Sequence, residues 1–481
     1  MNGNSVFCEQ ALVAGQWIDG VQTPRLVVYN PANGQKIGSA PALNIDETNK
    51  AIIAAEAAFP EWSAKTVRER SEILKEWYRL IIQHQEELAA ILTAEQGKPL
   101  LEARTEVVYG AYYVEWFAEE ARRAYGEIIP TYMSDRRLHV LKQPVGVVAA
   151  ITPWNFPSAM ITRKVAPALA CGCTVVLKPA SKTPFSALAL AKLAEKAGVP
   201  AGVLNVVTGS VATVGEALLS HKAVRKISFT GSTEAGIKLM HKAASDLKRL
   251  SLELGGNAPF LVFADADINE AVKGAIATKF RNAGQTCVSA NRFLVQASIY
   301  EDFLQRLQQS MEKLVVGDGV KEGVQIGPVI DSASHARIHA LVQDAVGKGA
   351  RLLLGGKPHQ LGGLFFEPTL IADVTPNMRL WQEEIFGPLL AVRAFYHEEE
   401  ALQWANDSEY GLISYVYTSN AKRQLLLPEK LQSGMVSMNA AGISTEVAPF
   451  GGVKHSGFGR EGAHHGLDEY LDVKYVALGG L

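Results

Sequence analysis

The sequence predicts an α/β protein built on a doubly wound parallel sheet, followed by a second α/β unit. Three observations lead there. Short apolar runs at residues 145–151, 174–177, 204–207 and 226–229 alternate with segments of helical periodicity, the pattern of strands buried on both faces. Each run ends in a polar or glycine-bearing step: Thr152-Pro153-Trp154-Asn155-Phe156-Pro157, Lys178-Pro179-Ala180-Ser181, Thr208-Gly209 and Thr230-Gly231-Ser232. The pattern restarts near Pro259, with strand-like runs at 260–263, 292–296 and 352–354. In open sheets of this kind, ligands bind beyond the carboxyl ends of the strands, where those polar steps lie.

In chain order, residues 11–19 and 27–36 read as short strands around the Asn30-Pro31-Ala32-Asn33-Gly34 turn. Helices are expected over 46–59, stopping before Pro60, over 66–95, stopping before Gly97-Lys98-Pro99, and over 102–125. The aromatics Tyr109, Tyr112, Tyr113, Trp116 and Phe117 on the last of these read as packing residues. A strand at 136–143 leads into the first apolar run, and helices at 185–197 and 233–244 follow later runs. Beyond Pro259, helices are expected on the approach to Cys287 and over 299–314 and 332–348.

Composition narrows the function classes. A chain of 481 residues can hold two or three domains, and a net charge of −2 with 48% hydrophobic residues gives no sign of a nucleic-acid partner. Residues 1–10 lack a basic segment followed by an apolar run, and no apolar run is long enough to span a bilayer, so a soluble, cytoplasmic protein is expected. Its four cysteines, Cys8, Cys171, Cys173 and Cys287, form no disulfide framework. Cys171-Gly172-Cys173 has neither C-x-x-C spacing nor a second ligand pair, so no metal is expected there and tight packing behind a strand is. His464-His465 also lacks partners and should be exposed.

The reactive candidate is Cys287, in Phe280-Arg281-Asn282-Ala283-Gly284-Gln285-Thr286-Cys287-Val288-Ser289. A lone cysteine is more often a small buried hydrophobe than a nucleophile. Here the glycine, Gln and Thr before it are poor core-strand residues and suit a close-approach loop. A thiol attacks as thiolate, and Arg281 with the backbone of 284–287 is expected to favour ionisation. Glu253, in Leu252-Glu253-Leu254-Gly255-Gly256, reads as a carboxylate at a strand end facing a cavity. No G-x-G-x-x-G fingerprint opens a βαβ unit. Gly231 and Ser232 at a helix start, with Lys178 and Ser181 on a neighbouring strand end, nevertheless favour a nucleotide phosphate site.

Seven stretches in one order then identify a resemblance: the 152–157 and 178–181 steps, Phe229-Thr230-Gly231-Ser232-Thr233, Leu252-Glu253-Leu254-Gly255-Gly256, Gly284-Gln285-Thr286-Cys287, Glu383-Glu384-Ile385-Phe386-Gly387-Pro388 and Pro449-Phe450-Gly451-Gly452-Val453-Lys454. The whole chain resembles the aldehyde dehydrogenase superfamily. Within it, the succinate-semialdehyde dehydrogenase branch is most similar, with glutarate-semialdehyde dehydrogenases almost indistinguishable. Residues 154–164, 280–288 and 446–449 carry that finer likeness. The resemblance implies the aldehyde dehydrogenase fold: a Rossmann-like dinucleotide-binding domain (1–126 and 144–258), an α/β catalytic domain (259–445), and an oligomerisation arm with the C-terminal segment (127–143 and 446–481). From the residues alone, the arm is only an edge strand in need of a partner.

The resemblance also implies roles. Cys287 would attack the aldehyde carbon, and the Asn155 amide with the Cys287 N–H would hold the oxyanion. Hydride loss would leave a thioester, which water activated by Glu253 would hydrolyse, with Lys164 assisting electrostatically. Thr152, Trp154, Lys178, Ala180, Ser181, Gly231, Ser232, Leu254, Glu384 and Phe386 would form the cofactor site. Ser181 stands where many NAD-preferring relatives carry a glutamate, so NADP is expected, with NAD tolerated. Arg163, Arg281 and Ser444 would bind the distal carboxylate of the semialdehyde, since an arginine fork suits a carboxylate. The plainer alternative pairs both arginines with structural acids. Ser289 replaces a second cysteine found in some relatives, so their disulfide switch should be absent. A small-molecule substrate and a homo-oligomer, dimer or tetramer, complete the expectation. A Cys/Glu hydrolase without nucleotide, and a non-catalytic cofactor-binding protein, are the readings from other classes.

Overall fold

The computed structural model describes residues 5–21 and 23–480. Residues 1–4 and 22 of the expected 1–126 span, and residue 481 of the 446–481 span, lie outside the described residues, as does the start of the 1–10 segment read for a signal.

Two large sheets organise the chain. The first has eight strands in the spatial order Gly457–Phe458, Arg249–Glu253, Val224–Thr230, Val147–Ile151, Thr174–Lys178, Leu204–Val206, Ala11–Val13 and Gln16–Ile18. Its five middle strands are parallel and its ends are closed by antiparallel pairings. From Val147–Ile151 the chain winds outward one way through Thr174–Lys178 and Leu204–Val206. It then returns to place Val224–Thr230 on the other side. The winding reverses between those strands, which opens a crevice at their carboxyl ends. The 152–157 step and Gly231-Ser232 leave from that point.

The second sheet has seven strands in the order Arg351–Leu354, Thr369–Ala372, Leu389–Phe395, Ala290–Gln296, Ala258–Val262, Ile413–Tyr417 and Met435–Met438, parallel except at Arg351–Leu354. Phe260, Phe293 and Tyr415 pack at its centre, with the Phe260 and Phe293 rings 4.8 Å apart. A third, antiparallel sheet pairs Leu471–Gly479 with Arg136–Pro144 over nine positions, and Glu127–Ile129 with the latter's other edge. Arg25–Tyr29 and Lys36–Pro41 form a separate hairpin, closed by Gly34 N–H donating to Asn30 O at 2.8 Å.

Several expected helix bounds are corrected. The first helix runs Ile45–Ala64, through Pro60 rather than stopping before it. Proline removes one backbone donor, and here Pro60 and Glu56, whose carbonyl loses that partner, are both exposed, so water can take its place. The expected 66–95 helix is two, Val67–Gln83 and Gln85–Gln96, broken at His84 (φ −100°, ψ 19°). The next is Leu100–Glu120, with a 3-10 turn at Ala121–Arg123 before Tyr125. The motifs did not single out the helix Ala159–Cys171, whose thirteen residues are all buried. It ends at Gly172 (φ +94°), and Cys171 and Cys173 pack behind the strand that follows. His464 and His465 are exposed.

Candidate active site

A cavity of about 260 Å³ lies at the winding reversal of the first sheet. Asn155, Trp154, Gly231, Ser232, Leu254, Cys287, Glu384 and Phe386 line it, together with Met160, Thr230 and Arg337. Two larger clefts, of about 930 and 590 Å³, contain neither Cys287 nor Glu253. Ser181 lines the largest one instead. Reactive groups, not size, select the smaller cavity.

Cys287 sits half-buried between the turn Arg281–Gly284 and the strand Ala290–Gln296. That turn is tightly wound, with left-handed backbone at Asn282 (φ 52°) and Ala283 (φ 55°). Gly284 passes so close to Gly387 that a Cβ would lie 2.1 Å from its carbonyl oxygen. Burial pushes the Cys287 thiol up to about 12, Arg163 pulls it down, and the carboxylates of Glu384 and Glu253 push it further up. The leading cation at the thiol is thus Arg163 rather than Arg281, the Cys287 backbone lowers the thiol as expected, and the net shift opposes ionisation. Arg281 instead stacks over Phe156, with its guanidinium 4.8 Å from the ring centroid, and makes no ion pair among the described residues.

Asn155 is fixed by its backbone. Its carbonyl accepts from Lys98 Nζ at 2.8 Å and from Asn282 Nδ2 at 3.0 Å, while its own Nδ2 donates to Gln285 O at 3.1 Å. Lys98 is buried and ion-paired with Glu106 Oε2 at 2.5 Å. The other Glu106 oxygen accepts from Ser158 N–H at 2.9 Å and Ala159 N–H at 3.2 Å, capping the helix Ala159–Cys171 that its own Ser158 side chain does not cap. One buried pair therefore sets both the Asn155 step and the helix that carries Arg163 and Lys164. Glu102 accepts from Asn282 N–H at 2.8 Å and ties the cysteine turn to the same helix, Leu100–Glu120.

Glu253 ends the strand Arg249–Glu253 and is buried, but it does not line the cavity. Neither carboxyl oxygen has a hydrogen-bond partner. Burial first, then the nearby Glu461 carboxylate, push its carboxyl well above the ordinary range, against the pull of Arg163 and Lys164. Glu461 pairs with Lys164 Nζ at 2.5 Å and with Arg163 Nη2 at 2.7 Å. Burial alone would raise Glu461, but these two cations hold it below the ordinary range. Arg163 thus has a structural acid as partner, the plainer of its two readings. Ser444 is half-buried in the segment after Met435–Met438.

On the nucleotide side, Thr152 N–H donates to Lys178 O at 3.1 Å across adjacent strand ends. Lys178 is buried, with only a 3.3 Å contact to Pro179 O, and burial lowers its ammonium to about 8. Ala180 and Ser181 follow, half-buried, and Ser181 Oγ donates to Gly209 O at 3.0 Å. Ser232 caps the helix Thr233–Ala243 through Ala235 N–H. Glu384 Oε1 accepts from Gly256 N–H at 3.0 Å, and burial raises its carboxyl to about 7. Phe386 meets Trp154 edge-on, with ring centroids 5.5 Å apart. The buried hydroxyls of Thr152 and Thr230 have no partner. Orphaned donors and an unpaired lysine at neighbouring strand ends fit a bound phosphate-bearing cofactor.

Residues 17–476 match the model of the aldehyde dehydrogenase family. The chain belongs to that family. It is 54% identical over 479 residues to the NADP(+) succinate-semialdehyde dehydrogenase of Escherichia coli (strain K12), covering 100% of this chain and 99% of that one. It is 53% identical over 476 residues to the glutarate-semialdehyde dehydrogenase of Pseudomonas aeruginosa, covering 99% of each. A crystal structure of an E. coli NADP-dependent enzyme superposes over 100% of both chains with a TM-score of 0.99 at 54% identity. The aldehyde dehydrogenase fold is therefore that of this chain.

Lys98, Glu106, Arg337 and Glu461 were not singled out by the motifs. Arg337 lines the cavity and donates to Glu384 O at 2.8 Å and Ile385 O at 2.6 Å, fixing the segment that carries Glu384. Lys98 lay in a Gly97-Lys98-Pro99 step that reads as a helix stop. Glu461 lies in a glycine-dense stretch, and only its spatial partners give it meaning.

Proposed function

We propose that this protein oxidises succinate semialdehyde to succinate with NADP, and with NAD less well. Glutarate semialdehyde, or another aldehyde with a terminal carboxylate, is the alternative substrate. The observation that carries the reading is the shared cavity: Cys287 and Asn155 open on the same space as Gly231, Ser232 and Glu384. The names of the similar proteins support the substrate class.

In this mechanism the Cys287 thiolate adds to the aldehyde carbon, and the oxyanion is held by the Cys287 N–H and the Asn155 Nδ2 hydrogen that Gln285 does not use. A nicotinamide dinucleotide held there would supply the acceptor for the hydride that leaves the thiohemiacetal carbon. Glu384 would hold its ribose, Gly231 and Ser232 its phosphates, and Lys178 with Ser181 its adenosine end. Thr152, Trp154, Ala180, Leu254 and Phe386 would complete the walls of that site. Glu253, as the carboxylate, then takes a proton from the water whose oxygen attacks the thioester carbon; the C–S bond breaks and Cys287 leaves as thiolate. Its raised pKa makes it a strong base once ionised. Lys164 keeps Glu461 charged beside it. The unpaired guanidinium of Arg281 is free to meet a distal carboxylate, with Ser444 and Arg163 completing that end.

The division into a cofactor domain (1–126 and 144–258), a catalytic domain (259–445) and an arm with the C-terminal segment (127–143 and 446–481) belongs to the same proposal. Exposed Ile128, Val473 and Tyr475 on the arm sheet, with Tyr132 in the loop between two of its strands, support a homo-oligomer. Four unpaired cysteines support a cytoplasmic setting.

The test is the absorbance of reduced nicotinamide with succinate semialdehyde, glutarate semialdehyde and butanal, each with NADP and NAD. A higher kcat/KM for the acid-bearing aldehydes, and for NADP, is expected. Preference for butanal removes the carboxylate end of the site; a kcat/KM with NAD equal to that with NADP removes the cofactor assignment.

A further inference from the structure

Tyr109 and Tyr113 lie one turn apart on the helix Leu100–Glu120, and so share one face. That helix packs very closely on Ala159–Cys171: a Cβ at Gly110 would lie 3.0 Å from Thr162 Oγ1 and 3.1 Å from Ala159 Cα. The approach brings Tyr109 to Arg163, whose Nη1 donates to its hydroxyl at 3.2 Å. The two tyrosine hydroxyls are 3.2 Å apart, and Tyr113 donates to Thr445 O at 3.1 Å. Since the only Tyr113 hydroxyl hydrogen is used there, its oxygen accepts from Tyr109. A one-way chain therefore runs Arg163, Tyr109, Tyr113, Thr445, and ends one residue from Ser444. Among the described residues, no other hydrogen bond reaches 441–445 from elsewhere in the fold. The Tyr113 ring is buried and lies 5.4 Å from the Arg163 guanidinium, while Tyr109 is half-buried.

We infer that Tyr109 and Tyr113 are positioning residues that hold the Ser444 segment at a fixed span from Arg163, and thereby set the length of the carboxylate-bearing aldehyde the site prefers. The inference rests on the proposed carboxylate-binding role of Arg163 and Ser444. Losing the Tyr113 hydroxyl frees the segment without removing either anchor.

The experiment compares full-length wild type, Tyr113→Phe and Tyr109→Phe with succinate semialdehyde, glutarate semialdehyde and butanal, after thermal melts show both variants folded. In each variant the kcat/KM ratio between the two acids is expected to move toward one by about three- to tenfold, the worth of one hydrogen bond. The rise in KM for the acids should exceed that for butanal. An unchanged ratio, or equal losses on all three substrates, overturns the inference while leaving the substrate class standing. A wild type that prefers butanal overturns the substrate class itself, and the inference with it.

Discussion

Two buried charge clusters flank the helix Ala159–Cys171, and they are built to opposite specifications. In the first, Lys98 and Glu106 use every oxygen they bring: one meets the ammonium, and the other caps the helix through two N–H groups. In the second, Glu461 is paired twice while both oxygens of Glu253 have no partner. A buried charge is tolerated when its hydrogen-bonding capacity is filled. The first cluster meets that condition and serves as scaffold. Glu253 does not, and burial pushes its carboxyl well above the ordinary range. A buried acid left without partners beside a cysteine is arranged for a proton it has yet to exchange.

The contrast is tested most strongly by Glu253→Gln. A missing general base costs about 10²–10⁴-fold in rate. The expected outcome is that loss in kcat, with a stoichiometric burst of reduced nicotinamide retained, because the thioester still forms and then waits. Near-wild-type turnover would place Glu253 with the scaffold. Stability should barely fall, since the amide replaces a carboxyl whose oxygens have no hydrogen bond to lose.

Lys98→Met should do the reverse. It leaves Glu106 buried without its counter-charge, a loss of about 3–5 kcal/mol of stability read by denaturant unfolding. Adding Glu106→Gln should recover much of it, because the new carbonyl still accepts from Ser158 and Ala159. If the single variant costs no more stability than Glu253→Gln, the two clusters are not different in kind.

How far the sequence reaches follows the same division. Cys287, Glu253 and Asn155 lie in local motifs with unusual chemistry for a strand end or turn, so the sequence points to them. Glu461 and Lys164 are 297 residues apart, and neither segment announces the other. The same distance problem hid the leading cation at the thiol: Arg281 is close in sequence, but Arg163, 124 positions away, heads the cations that lower Cys287. Four parallel strands of the first sheet, Val147–Ile151, Thr174–Lys178, Leu204–Val206 and Val224–Thr230, were legible because burial on both faces makes them continuous apolar runs. Pro60 and His84 were not. A proline on an exposed helix face is tolerated, and the break at His84 adds no glycine or proline to the chain.

The smallest expected signal is the pH dependence of stability, and it isolates Glu253. Its folded carboxyl is raised, so above the ordinary carboxylate range of about 4.3 the folded protein keeps a proton that the unfolded chain has lost. Stability from this group is therefore present below that range and lost as pH rises toward the folded value. Glu461 has the opposite sign: its folded carboxyl is lowered, its contribution is present above the ordinary range, and it is lost only as pH falls. Above pH 5 Glu461 is ionised in both states and adds no slope. The stability difference between wild type and Glu253→Gln, measured by denaturant unfolding from pH 5 to 8, should then fall with pH. For a single proton the slope cannot exceed about 1.4 kcal/mol per pH unit. A flat difference would mean that Glu253 is already ionised in the folded protein. Its missing hydrogen bonds would then be water-filled, and the two clusters would differ only in the solvent that reaches them.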